Sequence, residues 1–71
     1  MHHAFGVRVK RLRKEHRMTQ QELGGIVGID RSAISRLETG NANATLDTIL
    51  RLAYGLELSP SELLADIEVG R

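Results

Sequence analysis

The stretch from Thr19 to Gly40, TQQELGGIVGIDRSAISRLETG, constrains the fold more than any other part of this sequence. Thr19 stands three residues before Glu22, which is the spacing of a capping box at the start of a helix. Gly28 suits the left-handed end of that helix, and Asp30 is a favourable N-cap for the next one. The stretch therefore predicts a helix, a short turn and a second helix that ends at Gly40.

Two other interpretations of the glycines in this stretch are less favourable. A phosphate-binding loop needs G-x-G-x-x-G or G-x-x-x-x-G-K-[ST] after a strand, whereas the spacing here is G-G-x-x-G without a strand before it. A flexible loop would leave four apolar side chains without burial, namely Leu23, Ile26, Val27 and Ile29. In a helix-turn-helix, Gly24 allows the two helices to approach closely. Gly25 has no such explanation, although a glycine inside a helix lowers the stability of that helix by about 1 kcal/mol relative to alanine.

Two longer helices are predicted on either side of this pair. The first runs from about Phe5 to His16 and carries Val9 and Leu12 on one face. The second begins after Thr45, a favourable N-cap. Its apolar residues follow the i, i+3, i+4 pattern of one helical face, namely Leu46, Ile49, Leu50, Ala53 and Leu56.

A short fifth helix is predicted near the C-terminus. Ser59 and Glu62 have the spacing of a second capping box, with Pro60 at the first helical position. We expect the helix to continue through Leu63 and Leu64 to Ile67. No segment alternates apolar and polar residues with period two, so the predicted class is all-α, a compact five-helix domain over residues 1–71.

Charge is distributed unevenly along the 71 residues, although the net charge is only +1. Residues 1–36 contain eight Lys/Arg and three Asp/Glu, a balance of +5. Residues 37–71 contain two Lys/Arg and six Asp/Glu, a balance of −4. A solvated charged surface is the simpler explanation of such a run, and a bound polyanion is the functional one.

Composition argues against several classes of protein. The chain has room for one domain and contains no cysteine for a disulfide or thiolate metal site. No apolar run approaches the roughly 18 residues of a membrane span, and we find no signal peptide. Neighbouring acid–base groups, Glu15 with His16 and Glu62 with Asp66, lack a nucleophile and a deep pocket. We therefore expect a cytoplasmic protein that is not an enzyme and needs no cofactor or metal.

The motif positions resemble those of a known family. Counted from Gln20 as position one, Gly24 falls at five and Gly28 at nine. Apolar residues fall at four, eight, ten, fifteen and eighteen, namely Leu23, Val27, Ile29, Ile34 and Leu37. This pattern resembles the Cro/phage-repressor (Xre-type) helix-turn-helix family, and the resemblance extends over five helices from about Phe5 to Leu64. It implies a repressor-type domain that binds double-stranded DNA, usually as a homodimer, and so associates with the nucleoid.

The third helix is the recognition helix under this resemblance. On a helical wheel, Ile34 and Leu37 share one side, and the opposite side is polar and cationic. Such a helix fits the major groove, where Arg pairs with guanine and a small apolar side chain meets a thymine methyl. The expected base-contacting residues are Arg31, Ser32, Ala33, Ser35 and Arg36.

Phosphate contacts are expected from residues around the recognition helix. Gln20 occupies the position whose family counterpart binds a backbone phosphate, and Asn41 and Asn43 lie in the loop after the recognition helix. Many relatives have lysine or arginine in that loop, so the positive charge here must come from the first helix and its end. We expect Arg11 and Arg17 to contribute most directly, alongside Arg8, Lys10 and Lys14.

Two further sets of residues are assigned structural roles. The resemblance implies that Arg13 and Glu38 form a partly buried ion pair between the first and third helices, which orients the recognition helix. Apolar residues near the C-terminus exceed the apparent need of one small core, and they include Leu63 and Val69. We expect part of this surplus to form a homodimer interface. The alternative is that all of these residues pack inside the chain. The expected interface residues are Leu56, Leu58, Leu64 and Ile67.

The sequence therefore predicts a transcriptional regulator that binds a pseudopalindromic operator as a homodimer. The alternative is an antitoxin or another protein-interaction module that also binds its own operator. Only about seven residues follow Leu64, which disfavours the added segment of an antitoxin. No small-molecule ligand site is evident, and the operator sequence and the direction of regulation are not specified by the sequence.

Overall fold

The structure, a computed structural model, describes residues 2–65 and residue 67. Asp66 and Val69, which were named above, lie outside the described residues. The described part of the chain contains helices and no strand, which confirms the predicted all-α class. Five helices follow one another along it: α1 His2–Glu15, α2 Gln20–Val27, α3 Arg31–Glu38, α4 Leu46–Gly55 and α5 Pro60–Leu63.

Side-chain caps begin the helices where the sequence predicts them. The amide of Glu22 donates to Thr19 Oγ1 over 3.0 Å, and the Glu22 carboxylate accepts from the Thr19 amide over 2.8 Å. Ser59 and Glu62 repeat this reciprocal arrangement at the start of α5. Thr45 caps α4 by accepting a hydrogen bond from the backbone N–H of Thr48.

Two helix boundaries differ from the prediction. α1 begins at His2 rather than near Phe5, and α5 ends at Leu63 rather than continuing to Ile67. Beyond Leu64 the backbone bonds join residues three apart, such as Ala65 N–H to Glu62 C=O at 3.3 Å. This tighter geometry ends the α-helix.

One hydrophobic core lies between the five helices. α3 packs against both α1 and α2, while α4 packs against α2 and α5. The buried apolar side chains of this core are Phe5, Val9, Leu23, Val27, Ile34, Leu37, Ile49, Leu52, Ala53, Leu56 and Leu63. These contacts hold α2 and α3 in a fixed relation to each other and to α1.

The structure corrects two expectations about apolar residues. Leu56 is completely buried within the chain, so its assignment to a dimer interface is wrong. Leu58, Leu64 and Ile67 are half-buried and pack against the core. The predicted apolar face of α4 also divides in two, because Leu46 points to solvent while the residues at 49, 53 and 56 are buried.

The turn between α2 and α3 depends on two glycines. Gly28 has a φ of 71°, and its N–H donates to the carbonyl of Gly24, as in a left-handed helix end. A Cβ on Gly24 would collide with the backbone carbonyl of Ile29, so only glycine fits there. Arg51 of α4 also supports the turn, since its Nη1 donates to the carbonyl of Val27 over 3.3 Å.

Candidate nucleic-acid interface

The outward face of α3 borders a shallow cleft between α2 and α3. Ile34 and Leu37 anchor the other face of the helix in the core, which turns Arg31, Ser32 and Arg36 to solvent. The cleft has a volume of about 370 Å³ and is lined by Gln20, Arg31, Ser32, Ser35 and Arg36. Four of the five expected base-contacting residues therefore line the cleft, together with Gln20, an expected phosphate contact. The fifth, Ala33, is half-buried and does not line it.

The first turn of α3 contains an internal hydrogen bond. The Ser32 hydroxyl donates to the carboxylate of Asp30, and this bond lowers the pKa of Asp30. Asp30 occupies the N-cap position, but its side chain makes no capping hydrogen bond to the backbone. Ser32 must therefore release Asp30 if it is to donate a hydrogen bond to a base, whereas its oxygen can accept one without this change.

A buried ion pair joins α1 to the end of α3. Arg13 Nε lies 2.6 Å from Glu38 Oε2, and Arg13 Nη2 donates to Glu38 Oε1 over 3.0 Å. The third nitrogen, Nη1, donates to the carbonyl of Met18 over 2.8 Å. The two charged side chains are only 9% and 2% exposed. This bidentate geometry compensates for the desolvation of both charges.

The ion pair includes a third side chain that sequence reasoning did not connect to it. Gln20 Nε2 donates to Glu38 Oε1 over 3.1 Å. Burial opposes the ionisation of Glu38, but the hydrogen bonds from Arg13 and Gln20 outweigh burial and lower the pKa of the carboxyl. The hydrogen bond to Glu38 in turn raises the pKa of Arg13. No sequence pattern indicates this contact, because Gln20 and Glu38 are 18 residues apart.

The other expected phosphate contacts lie outside the cleft. Asn41 and Asn43 are exposed in the loop after α3, and Asn41 Nδ2 donates to Thr39 Oγ1 over 3.1 Å. Arg17 is exposed after α1 with a φ of 56°. Arg11 is exposed on α1, where its Nε lies 3.8 Å from Glu15 Oε2.

Arg8, another cation of the first helix, is engaged elsewhere in the fold. Its Nη2 donates to the carbonyl of Glu62 in α5 over 3.3 Å, and the side chain is half-buried. Arg8 therefore ties α1 to α5 and is less suited to a phosphate than the exposed arginines.

A stripe of exposed apolar residues runs along α4, and the sequence pattern did not separate it from the core. Leu46, Leu50 and Tyr54 are spaced four residues apart and are 71%, 47% and 79% exposed. We call these three residues the α4 stripe. Their spacing puts them on one helical face, beside the face that carries Ile49 and Ala53 into the core.

The described residues offer no group of three His, Cys, Asp or Glu side chains that could hold a metal ion. Within the same part of the chain, each helix is too short or too polar to cross a membrane.

Comparison with known proteins identifies the class to which this fold belongs. The helix-turn-helix family model HTH_3 matches residues 9–63. The chain therefore belongs to this helix-turn-helix family of DNA-binding transcription regulators, which includes Xre- and Cro-like repressors. This is not a class of enzymes.

Three individual matches cover most of this chain and most of the matched chain. The chain is similar to control protein C.MunI of a Mycoplasma species, with 35% identity over 65 residues that cover 90% of this chain and 88% of that protein. The restriction-modification controller protein C.AhdI of Aeromonas hydrophila superposes with a TM-score of 0.81 at 39% identity, over 83% of this chain and 89% of the other. The P22 c2 repressor in complex with a synthetic operator superposes with a TM-score of 0.79 at 33% identity, over 86% of this chain and 92% of the repressor chain.

Proposed function

We propose that this protein regulates transcription by binding a pseudopalindromic operator as a homodimer, with α3 of each protomer in the major groove. The observation that carries the proposal is the outward face of α3, where exposed Arg31 and Arg36 stand opposite the buried Ile34 and Leu37. An α-helix with this division presents cations and hydrogen-bond donors to a groove while the core fixes its orientation. The similarity to the P22 c2 repressor in complex with an operator supports this arrangement.

Base contacts are assigned to the residues at the cleft. Arg31 and Arg36 have the geometry to donate two hydrogen bonds to guanine O6 and N7. Ser32 and Ser35 supply short hydroxyl donors, and Ala33 is a candidate for a thymine methyl at the edge of the helix. Each well-formed arginine–guanine pair contributes about 1–3 kcal/mol of discrimination.

Phosphate contacts are assigned to the residues around the cleft. Gln20 is the first residue of α2, so its backbone N–H lies at the positive end of that helix. Asn41 and Asn43 reach the backbone from the loop after α3, and Arg11 and Arg17 add positive charge from the end of α1. With few lysines or arginines close to α3, we expect a modest dependence of affinity on salt.

The dimer interface is assigned to the α4 stripe, with a second copy of this chain as the partner. A single module of this size presents too little surface for tight specific binding, which a two-fold dimer on two half-sites overcomes. The exposed parts of Leu46, Leu50 and Tyr54 amount to on the order of 400 Å², about half of what each partner buries in a standard interface. The stripe begins at Leu46, directly after the loop that follows α3. Leu58, Leu64 and Ile67 are assigned a smaller part of the interface, because they are already half-buried within the chain.

The proposal is tested by selecting bound duplexes from a random pool at low salt with the wild-type protein. We expect enrichment of palindromes whose half-sites are about 34 Å apart, one turn of the double helix. A bound pool without any palindromic sequence would overturn the operator proposal. Sedimentation of the free protein and of its complex with the selected duplex tests the dimer separately, and a monomer in both states would contradict it.

A further inference from the structure

Gln20 is the residue at which the DNA-facing cleft meets the buried ion pair. Its side chain lines the cleft beside Arg31 and Arg36, and its amide nitrogen lies 3.1 Å from the carboxylate of Glu38. An ionised carboxylate only accepts hydrogen bonds, so the nitrogen of the amide, and not its oxygen, must face Glu38. The orientation of the Gln20 amide is thereby determined by a residue that does not reach the cleft.

This contact leaves one donor of the amide free. The amide nitrogen carries two N–H groups, and Glu38 accepts one of them. A phosphate oxygen is a strong acceptor, and charge-assisted hydrogen bonds to it are shorter and stronger than neutral ones. Gln20 can therefore donate to Glu38 and to a DNA phosphate at the same time, without rearrangement.

Arg13 makes the arrangement compatible with a polyanion. A carboxylate close to the DNA-facing cleft would repel phosphates if it were alone. Arg13 pairs with both oxygens of Glu38, at 2.6 Å and 3.0 Å, so the charge near Gln20 is neutralised within the protein. The pair is nearly inaccessible to solvent, which keeps this neutralisation effective at ordinary salt concentrations.

We propose that Glu38 is a positioning residue for DNA binding, which holds the Gln20 amide in place so that its second N–H donates to the DNA backbone. The proposal rests on the proposed function of the α2–α3 face. A glutamine that is already ordered loses less conformational freedom on binding than a mobile one. The ion pair thus sets the affinity for DNA through Gln20, in addition to supporting the fold.

The test replaces both residues of the ion pair, so that no buried charge is left without a partner. The double substitution Arg13→Met with Glu38→Leu removes both charges, leaves the net charge unchanged and substitutes apolar side chains, which is often neutral for stability. Gln20→Ala is then made in the wild-type and in the apolar-pair background. Affinity is measured at low salt for a duplex of mixed sequence, because phosphate contacts do not depend on sequence. Gln21→Ala, an exposed neighbour on α2, serves as the matched control.

We expect a specific pattern of coupling. Gln20→Ala lowers the affinity of the wild-type protein about tenfold, and the apolar-pair variant binds about fivefold to tenfold more weakly than wild type with a similar melting temperature. In the apolar-pair background Gln20→Ala then changes the affinity less than about twofold. Equal effects of Gln20→Ala in both backgrounds would overturn the proposal. Gln21→Ala has the same small effect in both backgrounds.

A second measurement needs no variant and covers the case in which the apolar pair fails to fold. Side-chain amide order parameters of the wild-type protein should be high for Gln20 and low for Gln21, and the Gln20 amide signals should shift when the duplex is added. A Gln20 amide as mobile as that of Gln21 would overturn the positioning role. Failure of the wild-type protein to bind any duplex would instead overturn the proposed function.

Discussion

α3 and α4 bury one face each in the same core, yet their outward faces differ in chemistry. α3 exposes Arg31 and Arg36, whereas α4 exposes the α4 stripe of two leucines and a tyrosine. Cationic donors suit a phosphate backbone and base edges, while a contiguous apolar surface suits another protein. One small core thus supports two outward faces of contrasting chemistry, one cationic and one apolar.

The supports of the two helices differ as well. α3 is held by the buried pair of Arg13 and Glu38 and by the close contact at Gly24. α4 is held mainly by buried aliphatic side chains, with Arg51 bonded to the end of α2. α3 thus has a buried ion pair at its end in addition to buried Ile34 and Leu37, whereas the ion pair on α4, between Arg51 and Asp47, is exposed.

Breaking the polar support of α3 should have the largest effect. Arg13→Met leaves Glu38 buried without its partner, so we expect the free energy of unfolding to fall by about 3–5 kcal/mol in chemical denaturation. Arg11→Met is the control, because its pair with Glu15 is exposed and contributes little. Equal losses for the two variants would show that the buried pair does not support the fold.

The same pair predicts a loss of stability in acid. The folded protein lowers the pKa of Glu38 below its unfolded value, so ionisation of Glu38 stabilises the fold above the unfolded pKa. That contribution is lost as the pH falls through the folded pKa. Denaturation at a series of pH values should show a steeper acid loss for wild type than for the variant that combines Arg13→Met with Glu38→Leu. Identical slopes would contradict the assignment.

Removing a cation from the outward face of α3 should weaken operator binding and relax specificity at defined base pairs. Arg36→Ala is expected to cost about 1–3 kcal/mol of binding to the selected operator and to relax the preference at defined base pairs. Gln20→Ala should weaken binding evenly across sequences, because it removes a phosphate contact. Selection of duplexes with each variant checks both results. A uniform loss with Arg36→Ala would assign that residue to the phosphates.

Charging the α4 stripe should affect assembly and leave the fold intact. Leu50→Glu is expected to weaken dimerisation by about 1–2 kcal/mol, since a charge would be desolvated at the interface. Sedimentation should show a shift toward monomer, with a melting temperature equal to that of wild type at concentrations where both proteins are monomeric. Val7→Glu is the control, because Val7 is exposed on α1 outside the stripe. If both substitutions shift the dimer equally, the stripe is not the interface.

The smallest effect is expected at Gly25, where a Cβ would meet no atom within 4 Å. Gly25→Ala should raise the free energy of unfolding by up to about 1 kcal/mol through helix propensity, with DNA affinity unchanged. Gly24→Ala is the matched comparison on the same helix, and it should be destabilising because of the Ile29 carbonyl. A loss of DNA affinity with Gly25→Ala would reveal a function for this glycine that its open surroundings do not indicate.

Much of the fold was predictable because its signals are local. The capping boxes at Thr19 and Ser59 and the left-handed Gly28 depend on atoms within a few residues of each other. The outward position of Arg31 and Arg36 also follows from a helical wheel once Ile34 and Leu37 are placed in the core. The candidate site was therefore predictable in its composition along α3.

The helices, their order and the side chains on α3 were predictable from spacing and capping within single helices. The exposure of Leu46 and Leu50 and the burial of Leu56, in contrast, depend on how the helices pack against each other. A helical pattern fixes which residues share a face, but the positions of the neighbouring helices decide how wide the buried part is. The hydrogen bond from Gln20 to Glu38 likewise depends on how α2 and α3 meet, and no local rule contains that distance.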